Sequence, residues 1–144
     1  MEMPEEFEEI KRKIAGIIPA MPVLIKSSFE QIKPSVEDAN IEQLDRGERA
    51  DGTMLPNYSF VSVGVYGKKP GPMNLHDTGS FWRGITLEVY DDSIELIGRD
   101  IKTQMLQLRY GDEIIGLSEK SQDSITEDYL QPVLSDEVNQ YFEK

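Results

Sequence analysis

The side chains best suited to chemistry gather between His76 and Asp100. Asp77-Thr78-Gly79-Ser80 sets a carboxylate in a turn of small residues; beside a second carboxylate, such a group shares a proton and activates water. His76, the single histidine, would have to carry any Ser-His-Asp relay, yet no serine stands at a strand-to-helix nucleophile elbow. As a metal ligand His76 would need carboxylates from elsewhere, because Asp77, its sequence neighbour, is poorly placed to share an ion. The acids between Asp45 and Asn57 lack the alternating oxygen ligands and closing glutamate of a calcium loop, and neither glycine-rich phosphate pattern occurs. On these grounds no catalytic residue, cofactor or metal is assigned.

The Asp77 tetrapeptide is the one aspartic peptidases use, and Leu96-Ile97-Gly98-Arg99-Asp100 looks like the closing strand and helix start of the retroviral type. Spacing opposes that reading. Only about 16 residues separate Gly79 from Leu96, room for one hairpin where the peptidases hold a flap and several strands. The preceding run, Pro70-Gly71-Pro72-Met73-Asn74-Leu75-His76, is a turn sequence rather than the apolar strand that would desolvate the carboxylate. An aspartic-type peptidase built on Asp77-Thr78-Gly79 is therefore the alternative. The structural role ranks first: Asp77 or Thr78 caps the turn into Phe81-Trp82-Arg83-Gly84-Ile85, and Gly79 supplies backbone freedom.

The elements that must position these residues read as an α+β domain: an N-terminal broken helix pair, a small antiparallel sheet with a central hairpin, a helix, and a C-terminal helix. Within one domain over 1–144, residues 1–34 hold the N-terminal helices, 35–99 the loop and β region, and 100–144 the C-terminal helices. Phe7, Ile10, Ile14 and Ile17 recur at helical spacing from Pro4 to about Ala15. Gly16, Pro19 and Pro22 then interrupt, and a second helix from Val23 through Ile25, Phe29 and Ile32 is expected to stop at Pro34. From Ser35 to Pro72 the pattern loosens into either a long functional loop or a loosely paired sheet edge, with Phe60 to Tyr66 as a plausible strand. Ile85, Leu87 and Val89 alternate with polar residues, Asp91-Asp92-Ser93 turns, and Ile94, Leu96 and Gly98 continue at period two: a hairpin. Asp100 is expected to cap a helix to about Tyr110 with Ile101, Met105 and Leu108 on one face and Gly111 at its end. Ser118 opens the final helix, which Pro132 must kink or break.

Composition narrows the partners. The chain has 144 residues, 27 acidic against 15 basic, a formal charge of -12 and no cysteine. Disulfides and thiolate chemistry are excluded, which suits a cell interior or a particle assembled there. The basic clusters Lys11-Arg12-Lys13 and Lys68-Lys69 are too small for a nucleic-acid stripe. No run approaches the roughly 18 apolar residues of a membrane span, and the start Met1-Glu2-Met3-Pro4 lacks the basic end of a signal peptide. Neither membrane nor tight DNA binding is expected.

The linear order of motifs carries the functional expectation. Arg46-Gly47, Asp51-Gly52, Leu55-Pro56 and Tyr58-Ser59 precede Leu75-His76-Asp77-Thr78-Gly79-Ser80-Phe81-Trp82-Arg83-Gly84-Ile85; Ile94-Glu95-Leu96-Ile97-Gly98, Tyr110-Gly111 and Ile114-Ile115-Gly116-Leu117-Ser118-Glu119 follow. Over residues 43 to 130 this order resembles the virion morphogenesis and tail-completion (neck, head-tail connector) proteins of tailed bacteriophages, of the Mu-like type. The chain departs from that pattern at Leu55-Pro56-Asn57-Tyr58, where the family carries a tryptophan, and at Asp112-Glu113-Ile114-Ile115, where it carries arginine-proline-phenylalanine. The resemblance implies a structural virion protein, assembled in the host cytoplasm, with no catalytic residues. It would form a ring with copies of itself, contacting portal, adaptor or tail proteins while DNA passes without specific binding. Phe7, Phe29, Asp51, Leu55, Tyr58 and Tyr66 are the expected inter-subunit contacts, and Asp91 and Asp92 the expected acids of a lumen.

Overall fold

The computed structural model describes residues 5–143. Pro4, the expected helix start, and the acidic start Met1-Glu2-Met3 lie outside the described residues. The architecture is α+β, with helices packed around a single two-stranded antiparallel sheet.

The expected broken helix pair is one continuous helix, α1, over Glu5–Asp45, with Pro19, Pro22 and Pro34 inside it. Each proline removes a bond to the carbonyl four residues earlier. Here those residues, Ala15, Ile18 and Glu30, are exposed, as are the prolines themselves. The prolines thus lie on the solvent side, and the opposite face keeps the helix intact. That face buries Ser28, Ile32, Val36, Asn40, Gln43 and Leu44 at spacings of three and four. Residues 35–45, expected as loop or sheet edge, thus belong to α1.

The segment expected as a strand at Phe60 to Tyr66 forms a short helix, α2 (Phe60–Gly64), because the Ser59 hydroxyl accepts a hydrogen bond from the Ser62 amide and caps it. A one-turn helix, α3 (Ser80–Arg83), leads into β1 (Ile85–Val89), which pairs with β2 (Ile94–Gly98) in the register Ile85↔Gly98 to Val89↔Ile94. The expected hairpin and its Asp91-Asp92-Ser93 turn are present; the sheet contains nothing else.

Helix α4 spans Thr103–Tyr110. Asp100 accepts from the Lys102 amide at 3.0 Å, a turn ahead of the helix rather than its cap. The face of Ile101, Met105 and Leu108 turns to solvent, at 94%, 58% and 83% exposure, and Leu106 and Tyr110 pack inward. A 3-10 turn at Asp112–Ile114 connects to α5 (Glu119–Ile125), capped by Ser118 as expected. A π-helical turn over Thr126–Leu130 then precedes α6 (Gln131–Glu143), so the disruption required by Pro132 takes the form of this wider turn.

Two clusters form the core. Leu44, Leu55, Phe81, Ile85 and Ile114 make one, and Ile32, Val36, Leu87 and Ile125 the other, with Leu96 packed against both. Burying each such side chain stabilises the fold by about 1.5–3 kcal/mol. The sheet is secured to α1 by Glu37, whose Oε2 accepts from the Leu87 amide at 2.7 Å. No helix among the described residues is long and apolar enough to cross a membrane.

Candidate functional site

The residues with chemical potential line a cleft of about 440 Å³ between the loop 73–80, the end of α2 and α4. Asp77 is the single acid among its lining residues; its side chain is 81% exposed and the nearest cation is Lys102 Nζ at 3.8 Å. Water activation by a carboxylate pair needs a second carboxylate and a desolvated site, and this arrangement provides neither. His76 sets its ring edge-on to Trp82 at 4.6 Å, while its carbonyl accepts from Lys68 Nζ at 2.6 Å. Trp82 in turn donates from Nε1 to the Asn74 carbonyl at 2.9 Å. These contacts give the histidine a packing role. No group of three or more His, Cys, Asp or Glu among the described residues is placed to hold a metal ion.

The turn assignment divides among its three residues. Thr78 Oγ1 accepts from the Ser80 amide at 3.3 Å and orders the turn, but Asp77 accepts no backbone hydrogen bond there and is not a cap. Gly79 is required by geometry: its φ is +86°, and an added Cβ would sit 2.7 Å from Arg83 Nη1.

A feature that sequence reasoning missed holds the Gly116-Leu117-Ser118 segment in place. Asn40 Nδ2 donates to the Ile114 carbonyl at 3.2 Å, and its Oδ1 accepts from the Gly116 amide at 2.9 Å. One turn on, Gln43 Nε2 donates to the Gly116 carbonyl at 3.0 Å, and its Oε1 accepts from the Ser118 amide at 2.8 Å. Both carboxamides are fully buried. The signal was present as two carboxamides three residues apart, but Pro34 had ended the expected helix ahead of them. A second clasp closes the loop beyond α1: Arg49 donates from Nε to the Tyr110 carbonyl at 2.8 Å and from Nη1 to the Met54 carbonyl at 2.7 Å.

The six expected contact residues fall into different environments. Phe7 and Tyr66 are exposed, at 55% and 73%. Phe29 is half-buried against the second core cluster, and Tyr58 is half-buried with its hydroxyl donating to Asn74 Oδ1 at 2.8 Å. Asp51 is exposed, its carboxyl held below the usual carboxylate range by hydrogen bonds from the Thr53 hydroxyl and amide. Leu55 is a correction: at 3% exposure it belongs to the core, because the chain folds back at Gly47, whose carbonyl accepts from the Leu55 amide. Asp91 and Asp92 are both exposed at the hairpin tip. Lys26 donates to Asp91 at 2.8 Å, lowering the carboxyl pKa and offsetting its charge.

Comparison of the chain with protein-family models, curated proteins and solved structures finds no match. Its function must be argued from its own residues.

Proposed function

We propose that this chain is a structural subunit of a tailed-bacteriophage virion, repeated as a ring in the head-tail connector, neck or tail-completion region around the DNA passage. The observation that carries this reading is the ordered run of motifs from Leu75 to Glu119, which spans the turn into α3, the hairpin strand β2, the end of α4 and the connector capped by Ser118. An apolar stretch in and just after α2 adds support: Phe60, Val61, Val65 and Tyr66 are all exposed. Apolar patches of this kind are surfaces that a partner covers.

The partners are further copies of the chain and the portal, adaptor or tail proteins above and below. The acids of α5 and α6, with Asp92, would supply a negative wall past which the duplex slides. Asp91, paired with Lys26, contributes less to that wall.

Electron microscopy of the purified chain, alone and co-expressed with portal and tail proteins encoded beside it, tests the reading. Closed rings and co-purification with a portal or tail component are expected. A chain that neither self-associates nor co-purifies with any of them refutes it, and a structure with every acidic cluster on the outer surface removes the lumen assignment.

A further inference from the structure

We infer that the acidic start of α1 in one copy docks into the basic cleft beside α4 in a second copy. The inference rests on the self-association proposed above, and it names the two surfaces that meet.

The first surface is the arm Glu5–Arg12, in which every residue is exposed. Helix α6 runs along α1 with its last contacts at Gly16, beside the Tyr141 hydroxyl, and at Lys13, whose Nζ donates to the Phe142 carbonyl at 3.2 Å. Ahead of that point Glu5, Glu6, Glu8 and Glu9 surround Phe7 and Ile10, themselves 55% and 51% exposed. Phe7, Ile10 and Ile14 follow at three- and four-residue spacing, so they share one face of the helix. The arm presents Phe7 and Ile10 beside four glutamates, with Lys11 and Arg12 at its inner end, so its outer part carries the negative charge.

The second surface is the cleft. Lys68, Lys102 and Arg109 line it against the single acid Asp77, a local positive balance in a chain of net charge -12. Met105 supplies an apolar wall, and the helices on either side carry Phe60 and Leu108 outward. A volume of about 440 Å³ suits anchoring side chains from a helix laid across the opening, with Phe7 and Ile10 as anchors and the glutamates facing the cations.

The arm cannot reach the cleft of its own chain. The cleft adjoins the far end of α1, where Asn74 Nδ2 donates to Asp45 Oδ1 at 3.3 Å and the Tyr58 hydroxyl bonds to Asn74. At a rise of about 1.5 Å per residue, the 41 residues of α1 set its ends roughly 60 Å apart. Complementary surfaces at opposite ends of a rigid element must meet between molecules. Such a contact is heterologous, and it closes into a ring when its rotation permits.

A reciprocal charge swap tests this. One variant carries Glu5→Lys, Glu6→Lys and Glu8→Lys; the other carries Lys102→Glu and Arg109→Glu. Each puts like charges together, and its dissociation constant for self-assembly should rise on the order of a hundredfold. An equimolar mixture restores opposite charges at both contacts, the lysine arm with the glutamate cleft and the native arm with the native cleft. Native mass spectrometry should therefore detect assemblies that alternate the two chains. Circular dichroism confirms that each variant is folded; if the arm variant loses helix, Phe7→Ser alone replaces it, with weakened assembly expected.

Variants that assemble as well as the wild type, or a mixture that stays monomeric, overturn this contact and leave the virion reading standing. Alternating assemblies support the contact, whether or not the chain binds a portal or tail protein. A wild-type chain that is monomeric at every concentration overturns the contact, and one that in addition co-purifies with no portal or tail protein overturns both.

Discussion

Replacing Gln43 by methionine should destabilise the fold far more than a volume-conserving exchange in a core. Gln43 is fully buried and clasps the connector through Nε2 to the Gly116 carbonyl and Oε1 from the Ser118 amide, with the Ser121 hydroxyl donating to the same oxygen at 3.1 Å. Methionine keeps nearly the same volume and leaves two backbone groups without a partner. Each orphaned group costs about 1–3 kcal/mol, so the pair costs roughly 4 kcal/mol. Against a total stability of about 5–15 kcal/mol this is a quarter or more. Urea titration followed by circular dichroism measures the loss by linear extrapolation. A chain of this size should also melt about 8–16 °C lower, at roughly 2–4 °C per kcal/mol. Gln43→Ala adds a cavity and should cost more still. A Gln43→Met loss below about 1 kcal/mol, with Gln43→Ala well above it, would mean that packing rather than the hydrogen bonds holds the connector, and the reasoning fails.

Four further outcomes follow from the same geometry. Glu37→Ala leaves the Leu87 amide without its 2.7 Å acceptor and should cost about 1.5–3 kcal/mol, read in the same urea titration. Gly47→Ala combines a φ of +75° with a Cβ 2.3 Å from Pro72 Cβ, so it should destabilise by about 2 kcal/mol or more, lowering the melting midpoint. Asp77→Asn should leave stability within about 0.5 kcal/mol in the same urea titration and should still assemble in sedimentation, because the side chain stands in solvent. The hydrogen bond and charge of Lys26 hold the Asp91 carboxyl below its ordinary value; NMR titration should show this depression, and Lys26→Met should return it to the ordinary range. The sign follows from linkage: the contribution is complete above the unfolded carboxylate pKa and is lost as pH falls through the depressed folded value.

Where local chemistry decides local structure, the chain was legible. The alternation in Ile85–Val89 and Ile94–Gly98, broken by Asp91-Asp92-Ser93, specifies the hairpin because period two and a turn suffice. Ser118 caps α5 for the same local reason. The prolines of α1 misled because all three fall on the exposed side of a helix whose opposite face is buried, and that placement is a property of the packed helix. At Phe60 to Tyr66, apolar and β-branched residues favoured a strand, but the segment has no neighbouring strand and Ser59 caps it as a helix. Within the site, Gly79 and Thr78 were readable as turn residues, whereas the solvated position of Asp77 and the burial of Leu55 depend on contacts between distant segments.

By itself the sequence determined the α+β class, the hairpin and its register-setting turn, the Ser118 cap and the acidic balance of -12, since each depends on residue type and short-range spacing alone. Only the tertiary structure decided that α1 continues through its prolines, that Asn40 and Gln43 clasp the Gly116 connector, and that three cations line one cleft with a single acid beside α4. Those features join residues tens of positions apart, and burial, hydrogen-bond satisfaction and charge proximity exist only once the chain has brought them together.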